Sequence, residues 1–131
     1  MKLKNYISGQ WIEGNGHEIP LYNAVNGELV AISDTSGLDF EEALHFGRTT
    51  GYKNLSSMTF YDRGEMLKKI ALYLLERKKK YYELSYKTGA THIDSWVDIE
   101  GGFGTFFTYS GLAKRMLPNT PFWVDGETQK I

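Results

Sequence analysis

An apolar stripe at helical spacing, Met66, Leu67, Ile70, Ala71, Leu74 and Leu75, constrains this chain more than any other feature. Side chains three and four residues apart share one face of a helix, so the stripe demands a helix with one dry side. Lys68, Lys69, Glu76, Lys79 and Lys80 fall off the stripe and supply the wet side. Thr59 followed by Asp62 is an N-terminal capping signature. The pattern predicts a helix over about 59–87, with Gly89 as its stop. Such a helix draws most of its stability from packing, so the rest of the chain must supply a surface for it.

The same capping signature recurs at Thr91 and Asp94 and predicts a helix over about 92–117, closed by Pro118. Trp96, Ile99, Phe103, Phe106 and Ser110 step by threes and fours and share a face. Gly101, Gly102 and Gly104 lie inside this helix. Each costs about 1 kcal/mol relative to alanine, so the expectation is a close backbone approach there to another element. A shorter helix, about 39–51, is predicted from Asp39 with Glu42 and from the face Phe40, Ala43, Leu44, Gly47.

The first third reads as strands, over about 5–32. Tyr6–Ile12 is predicted as one strand, Glu13-Gly14-Asn15-Gly16 as a turn, and His17–Tyr22 as the returning strand of a hairpin. Asn26-Gly27 is a second tight turn, with Leu29-Val30-Ala31-Ile32 as a third strand. Pro121 to Asp125 reads as a tail strand turning at Gly126. The fold class is therefore α/β, a single domain over 1–131: a short β-hairpin, three helices and a tail strand.

The chemistry in the residues is sparse. Fifteen basic and sixteen acidic residues leave a net charge of −1, without the positive field that phosphate backbones attract. The dense basic run Arg77-Lys78-Lys79-Lys80 reads as a solvated helix face. No nucleic-acid partner is expected. There is no cysteine, and so no disulfide, thiolate nucleophile or zinc–sulfur centre. The first residues carry no apolar run after their lysines, and no stretch approaches a membrane span. The expectation is a cytoplasmic protein without a membrane partner.

His17, His45 and His92 fall in separate elements, without a second ligand at metal spacing. Asp94, Asp98 and Glu100 would suit acid–base work, but acids opening a helix are favoured by its dipole alone. Gly101-Gly102-Phe103-Gly104 lacks the G-x-G-x-x-G spacing, a preceding strand and a P-loop lysine, so it reads as packing and not as a phosphate loop. No G-x-S-x-G elbow occurs. The residues assign no catalytic, cofactor-binding or metal site.

Several segments, in order, resemble the aldehyde dehydrogenase superfamily. Tyr6-Ile7-Ser8-Gly9-Gln10-Trp11 is similar to its opening "Y-I-N-G-x-W". Asn23-Ala24-Val25-Asn26-Gly27-Glu28 is similar to its "N-P-A-T-G-E", with Ala24 in place of the proline. Arg63 to Ile70 resembles its "R-x-x-x-L-x-x-I/A", and Lys87-Thr88-Gly89-Ala90 its "x-T-G-K". Met58-Thr59-Phe60, Thr88 to Thr91, Asp94 to Gly102 and Gly104 to Tyr109 resemble, more narrowly, the bifunctional ring-opening enzymes of phenylacetate degradation.

The resemblance runs from about Tyr6 to Asp125. It implies the N-terminal portion of an aldehyde dehydrogenase fold, fused in the parent to an oxepin-CoA hydrolase domain. It also implies oxidation of a CoA-linked semialdehyde with NADP, in a homo-oligomer. The family's catalytic cysteine, oxyanion asparagine, general-base glutamate and nucleotide-binding loop are expected beyond Ile131, so no site residue is carried over. The rival expectation is a self-standing, non-catalytic module of the same ancestry that buries its aromatics by oligomerising.

Overall fold

Two tight turns organise the first third of the chain. In the computed structural model, which describes residues 1–124 and 126, Ser8 and Gly9 both adopt positive φ, 51° and 84°. Positive φ at both central positions is the demand of a two-residue hairpin turn. The chain therefore reverses at Ser8-Gly9. Strands β1 (Asn5–Ile7) and β2 (Gln10–Ile12) pair antiparallel with Ile7 opposite Gln10. This corrects the sequence expectation of one strand over Tyr6–Ile12 paired with His17–Tyr22. The turn at Asn26-Gly27 and the strand after it are as expected; β3 (Ile19–Tyr22) pairs across that turn with β4 (Leu29–Ser33), with a register shift between Leu21 and Tyr22.

One carboxylate joins the two hairpins. Asp34, directly after β4, is buried and accepts hydrogen bonds from Ser36 N–H (2.8 Å) and Gly16 N–H (3.0 Å). Lys2 Nζ stands 3.4 Å from it. The Asp34 carbonyl accepts from Asn5 Nδ2 at 2.8 Å, which ties in β1. The Ser36 N–H bond, followed by Gly16 and Lys2, holds this carboxyl at about 2, against a burial effect that pushes it up. A depressed folded pKa contributes stability that is complete above the unfolded value, near 3.8, and is lost as pH falls through about 2. Between pH 5 and 2 the wild-type urea midpoint should fall more steeply than that of Asp34→Asn, which cannot titrate. Parallel slopes would refute this role.

Asp39 caps the first helical run by accepting Glu42 N–H at 2.8 Å. The run passes through α1 (Phe40–Phe46), a π-turn (Gly47–Gly51) and α2 (Tyr52–Ser57). It thus continues past the expected end at 51. Extended backbone at Met58 stops it. Phe40 and Leu44 of the expected dry face are exposed.

Helix α3 (Phe60–Leu75) opens with a full capping box between Thr59 and Asp62. The expected helix over 59–87 is two helices: the chain breaks at Glu76-Arg77, and α4 (Lys78–Tyr86) follows. No glycine or proline marks this break. Arg77 Nη1 takes the Tyr73 carbonyl at 3.0 Å, while Arg77 N–H turns to Leu74 at 3.0 Å. The side chain occupies the acceptor that a continuing α-helix would offer its own N–H. Its guanidinium also lies 3.6 Å from the centre of the Tyr73 ring. The run Arg77–Lys80 is therefore not one solvated face; it straddles a helix junction, and Lys78 pairs with Glu100.

Helix α5 (His92–Met116) has its own capping box, Thr91 with Asp94, and runs almost as expected. It lies along α3, with Gly64 of α3 buried against Ser110 and Ala113. On α3 the expected stripe holds except at Ile70, which is exposed: Ala71 is buried, Met66, Leu67, Leu74 and Leu75 are half-buried, and Gly64 is buried beside them. Lys68, Lys69 and Lys79 are exposed, as the pattern requires.

Most of the expected face of α5 turns inward: Phe103 and Ser110 are buried and Ile99 and Phe106 half-buried, joined by Ser95 and Ala113, whereas Trp96 is 54% exposed. A Cβ on Gly101, Gly102 or Gly104 would meet nothing within 4 Å. These glycines make no close approach within this chain; Gly64 makes it instead. At the tail, Pro121 to Val124 form no strand, and Asp125 lies outside the described residues. Arg63 anchors this segment by donating to the Met58 and Pro121 carbonyls, at 3.0 and 2.8 Å.

The apolar core is small: Ala31, Ala71, Phe103 and Ala113. The chain exposes 10166 Å², whereas a compact monomer of 15.0 kDa exposes roughly 7,000 Å². About 3,000 Å² of surface is thus left uncovered relative to a compact monomer.

Candidate functional site

The concave surface with the most built-in chemistry is a groove of about 530 Å³ between α4 and α5. Their antiparallel approach follows from the tight connection 87–91, in which Gly89 takes a φ of 85°. Tyr82 and Tyr86, one turn apart on α4, face His92, Trp96 and Glu100, successive turns on α5. Lys78, Lys79 and Glu83 complete the lining.

The polar atoms of this groove serve one another. Tyr82 stacks on His92 with ring centres 5.4 Å apart. The Tyr86 hydroxyl lies 2.9 Å from His92 Nδ1. Glu100 Oε1 accepts from Lys78 Nζ and from the Tyr82 hydroxyl, both at 3.0 Å. Lys78 chiefly, then Tyr82, holds the Glu100 carboxyl below its usual range. Burial, reinforced by Glu100, pushes the Tyr82 hydroxyl up. This arrangement can stack a flat group against its rings.

The residues weighed from the sequence disperse. His92 is in the groove; His17 follows the first hairpin and His45 lies on α1. Asp94 is engaged by the Thr91 cap, whose hydroxyl and N–H hold its carboxyl below the usual range. Asp98 is exposed, and Glu100 turns to α4. Gly101, Gly102 and Gly104 lie within a regular helix, not at a helix N-terminus that would cradle phosphate. Among the described residues, no three His, Cys, Asp or Glu side chains gather as metal ligands, and no helix is long and apolar enough to cross a membrane.

Sequence reasoning did not find the aromatic groove. Tyr82 and Tyr86 at i and i+4, with His92 and Trp96 after a glycine turn, were its legible signal.

Comparison with known proteins supplies the rest. A model of the aldehyde dehydrogenase family matches residues 11–130. The chain is 36% identical over 117 residues to the 3,4-dehydroadipyl-CoA semialdehyde dehydrogenase of Aromatoleum evansii, covering 88% of this chain and 23% of that protein. It is 25% identical over 132 residues to malonate-semialdehyde dehydrogenase 1 of Bacillus anthracis, covering 95% of this chain and 27% of that protein. The chain thus spans about a quarter of the length of the curated relatives it matches.

Proposed function

The chain belongs to the aldehyde dehydrogenase family, and from that membership we propose that it is the N-terminal segment of an NADP-dependent dehydrogenase acting on a CoA-linked semialdehyde. The 36% identity to a CoA-semialdehyde dehydrogenase across 88% of the chain carries this reading. The narrower assignment, to the phenylacetate branch with a fused ring-opening hydrolase, rests on the resemblance of Asp94 to Gly102 and Gly104 to Tyr109.

The resemblance implies a parent in which a cysteine would take up the aldehyde carbon, a nicotinamide cofactor would accept its hydride, and water would release the resulting acyl group. This segment has no cysteine to supply. Its part in the parent is scaffold and assembly surface. The exposed area supports that role, since so much apolar side chain is left for other elements to cover.

The isolated chain should show no aldehyde-dependent reduction of NAD or NADP above a heat-treated control. Turnover above that control would overturn the assignment of catalysis to residues outside this chain. Reading the gene downstream of codon 131 tests the parentage separately. An in-frame cysteine-bearing dehydrogenase sequence supports it, and a stop codon favours the rival, a non-catalytic oligomerising module.

A further inference from the structure

Asparagine followed by glycine is open to self-modification, because no side chain shields the following amide nitrogen from the carboxamide. The sequence has two such pairs, Asn15-Gly16 and Asn26-Gly27. The fold holds them in different ways.

At Asn26 the carboxamide is turned onto its own backbone. Asn26 Oδ1 accepts the Glu28 N–H at 3.1 Å, which closes an Asx turn. That ring lays Cγ alongside the Gly27 nitrogen, and the Glu28 N–H steadies the negative charge that develops on Oδ1 during attack. Asn26 Nδ2 donates to Glu28 Oε2 at 3.0 Å, so the group is held from both ends. The Gly27 N–H donates to the Asn23 carbonyl of the same turn, at 2.8 Å. Freeing it takes a local opening of one turn.

At Asn15 the same parts are kept apart. The Asn15 carboxamide fills the space that a side chain on Gly37 would need. Its own N–H donates to the Ser36 carbonyl at 3.1 Å. The Gly16 N–H donates to the buried Asp34 carboxylate at 3.0 Å. An amide bound to a full negative charge resists losing its proton. Freeing Gly16 also means breaking the carboxylate hub that joins the two hairpins.

We propose that Asn26 converts spontaneously to aspartate and isoaspartate in the folded protein, while Asn15 is protected. The Gly27 nitrogen gives up its proton and bonds to Asn26 Cγ. The Cγ–Nδ2 bond breaks, and ammonia leaves with that proton. Water then opens the cyclic imide. Opening at Cγ leaves aspartate; opening at the Asn26 main-chain carbonyl leaves isoaspartate, with the chain routed through Cβ and Cγ. Water enters, ammonia departs, and nothing is oxidised or reduced. The reaction is intramolecular, so it needs no partner surface and stands whether or not the enzymatic reading holds.

The change lands on a joint of the fold. Ala24, in the same turn, donates its N–H to the Lys87 carbonyl at the end of α4, at 2.8 Å, and lies against Gly89. The new carboxylate stands where Nδ2 met Glu28, and like charges repel. Isoaspartate also lengthens the connection that pairs β3 with β4. Both products should loosen the turn from α4.

Incubation of the unmodified chain in mildly alkaline buffer, read by fragmentation mass spectrometry and isoaspartate-specific methylation, follows both sites at once. Asn26 should convert at least about tenfold faster than Asn15, the ratio that about 1.4 kcal/mol of extra opening free energy gives. In urea the two pairs should convert at similar rates, since only the fold separates them. Equal native rates at the two sites overturn the proposal, as does an Asn26 that converts in urea and not in the native chain. Asn26→Gln should remove the acidic form that accumulates, because the longer side chain closes the ring far more slowly; its persistence would place the reaction elsewhere. Asn26→Asp, which stands for one product, should speed amide exchange at Ala24 while α3 stays protected. Unchanged exchange at Ala24 would overturn the coupling to α4.

Discussion

Gly64→Leu is expected to cost about 3 kcal/mol or more of folding stability, because it drives a side chain into the contact between α3 and α5. Even the first carbon has little room: a Cβ on Gly64 would stand 3.0 Å from Ala113 Cβ and 3.2 Å from the Ser110 carbonyl oxygen. The Ser110 atom is backbone and cannot rotate aside. Gly64→Ala should be close to neutral, since a helix propensity gain of about 1 kcal/mol offsets a displacement of a few tenths of an ångström. Leucine has no such compensation; its branch must separate the helices and uncover Ala71, Phe103 and Ala113, most of the apolar core. Urea unfolding followed by helical ellipticity measures the loss. A midpoint for Gly64→Leu equal to that of Gly64→Ala would show that the helices do not meet there.

The other large effect is expected at the opposite end of the fold. Gly14→Val should cost about 3–5 kcal/mol by combining overpacking with the loss of buried hydrogen bonds. A Cβ at Gly14 would lie 2.5 Å from both Asp34 Cγ and the Asp34 carbonyl oxygen. Those atoms anchor Gly16, Ser36 and Asn5, so moving them detaches β1 and β2 from β3 and β4. The φ of Gly14 is not in the left-handed region; the demand for glycine is one of space alone. Amide exchange should become fast in Asn5–Ile12 before it does in α3. Protection of that hairpin equal to wild type would refute the Asp34 hub. A small domain holds about 5–15 kcal/mol in reserve, and four buried apolar residues among those described place this one toward the lower end.

These two glycines show where sequence reading stops. Gly101, Gly102 and Gly104 looked like the close-packing residues because they interrupt a helix, yet they face open space. Gly64 packs and gave no warning, since it sits in a strong stripe whose leucines draw the eye. A lone sequence gives a glycine's cost to its own helix, but not the distance to the next element. The junction at Glu76-Arg77 was hidden for a similar reason: it follows from one guanidinium taking one carbonyl. The reversal at Ser8-Gly9 was legible, and a Ser-Gly pair between short β-formers should have outweighed the alternation around it.

The groove of Tyr82, Tyr86, His92 and Trp96 needed the interhelical geometry, because its two walls come from helices whose facing sides depend on where α4 begins.

By itself the sequence determined the local rules of this protein. The two Thr-Asp capping boxes, the hairpin at Asn26-Gly27, the extent of α5 and the wet face of lysines follow from hydrogen bonds and side-chain periodicity within a few residues. The order of its motifs also carried the family. Only the tertiary structure decided that α3 is what the dry face of α5 meets, where the long helix breaks, and that Asp34 binds the hairpins together. Each of those depends on atoms distant in sequence competing for one contact, one carbonyl or one carboxylate, and local propensity does not rank such competitors.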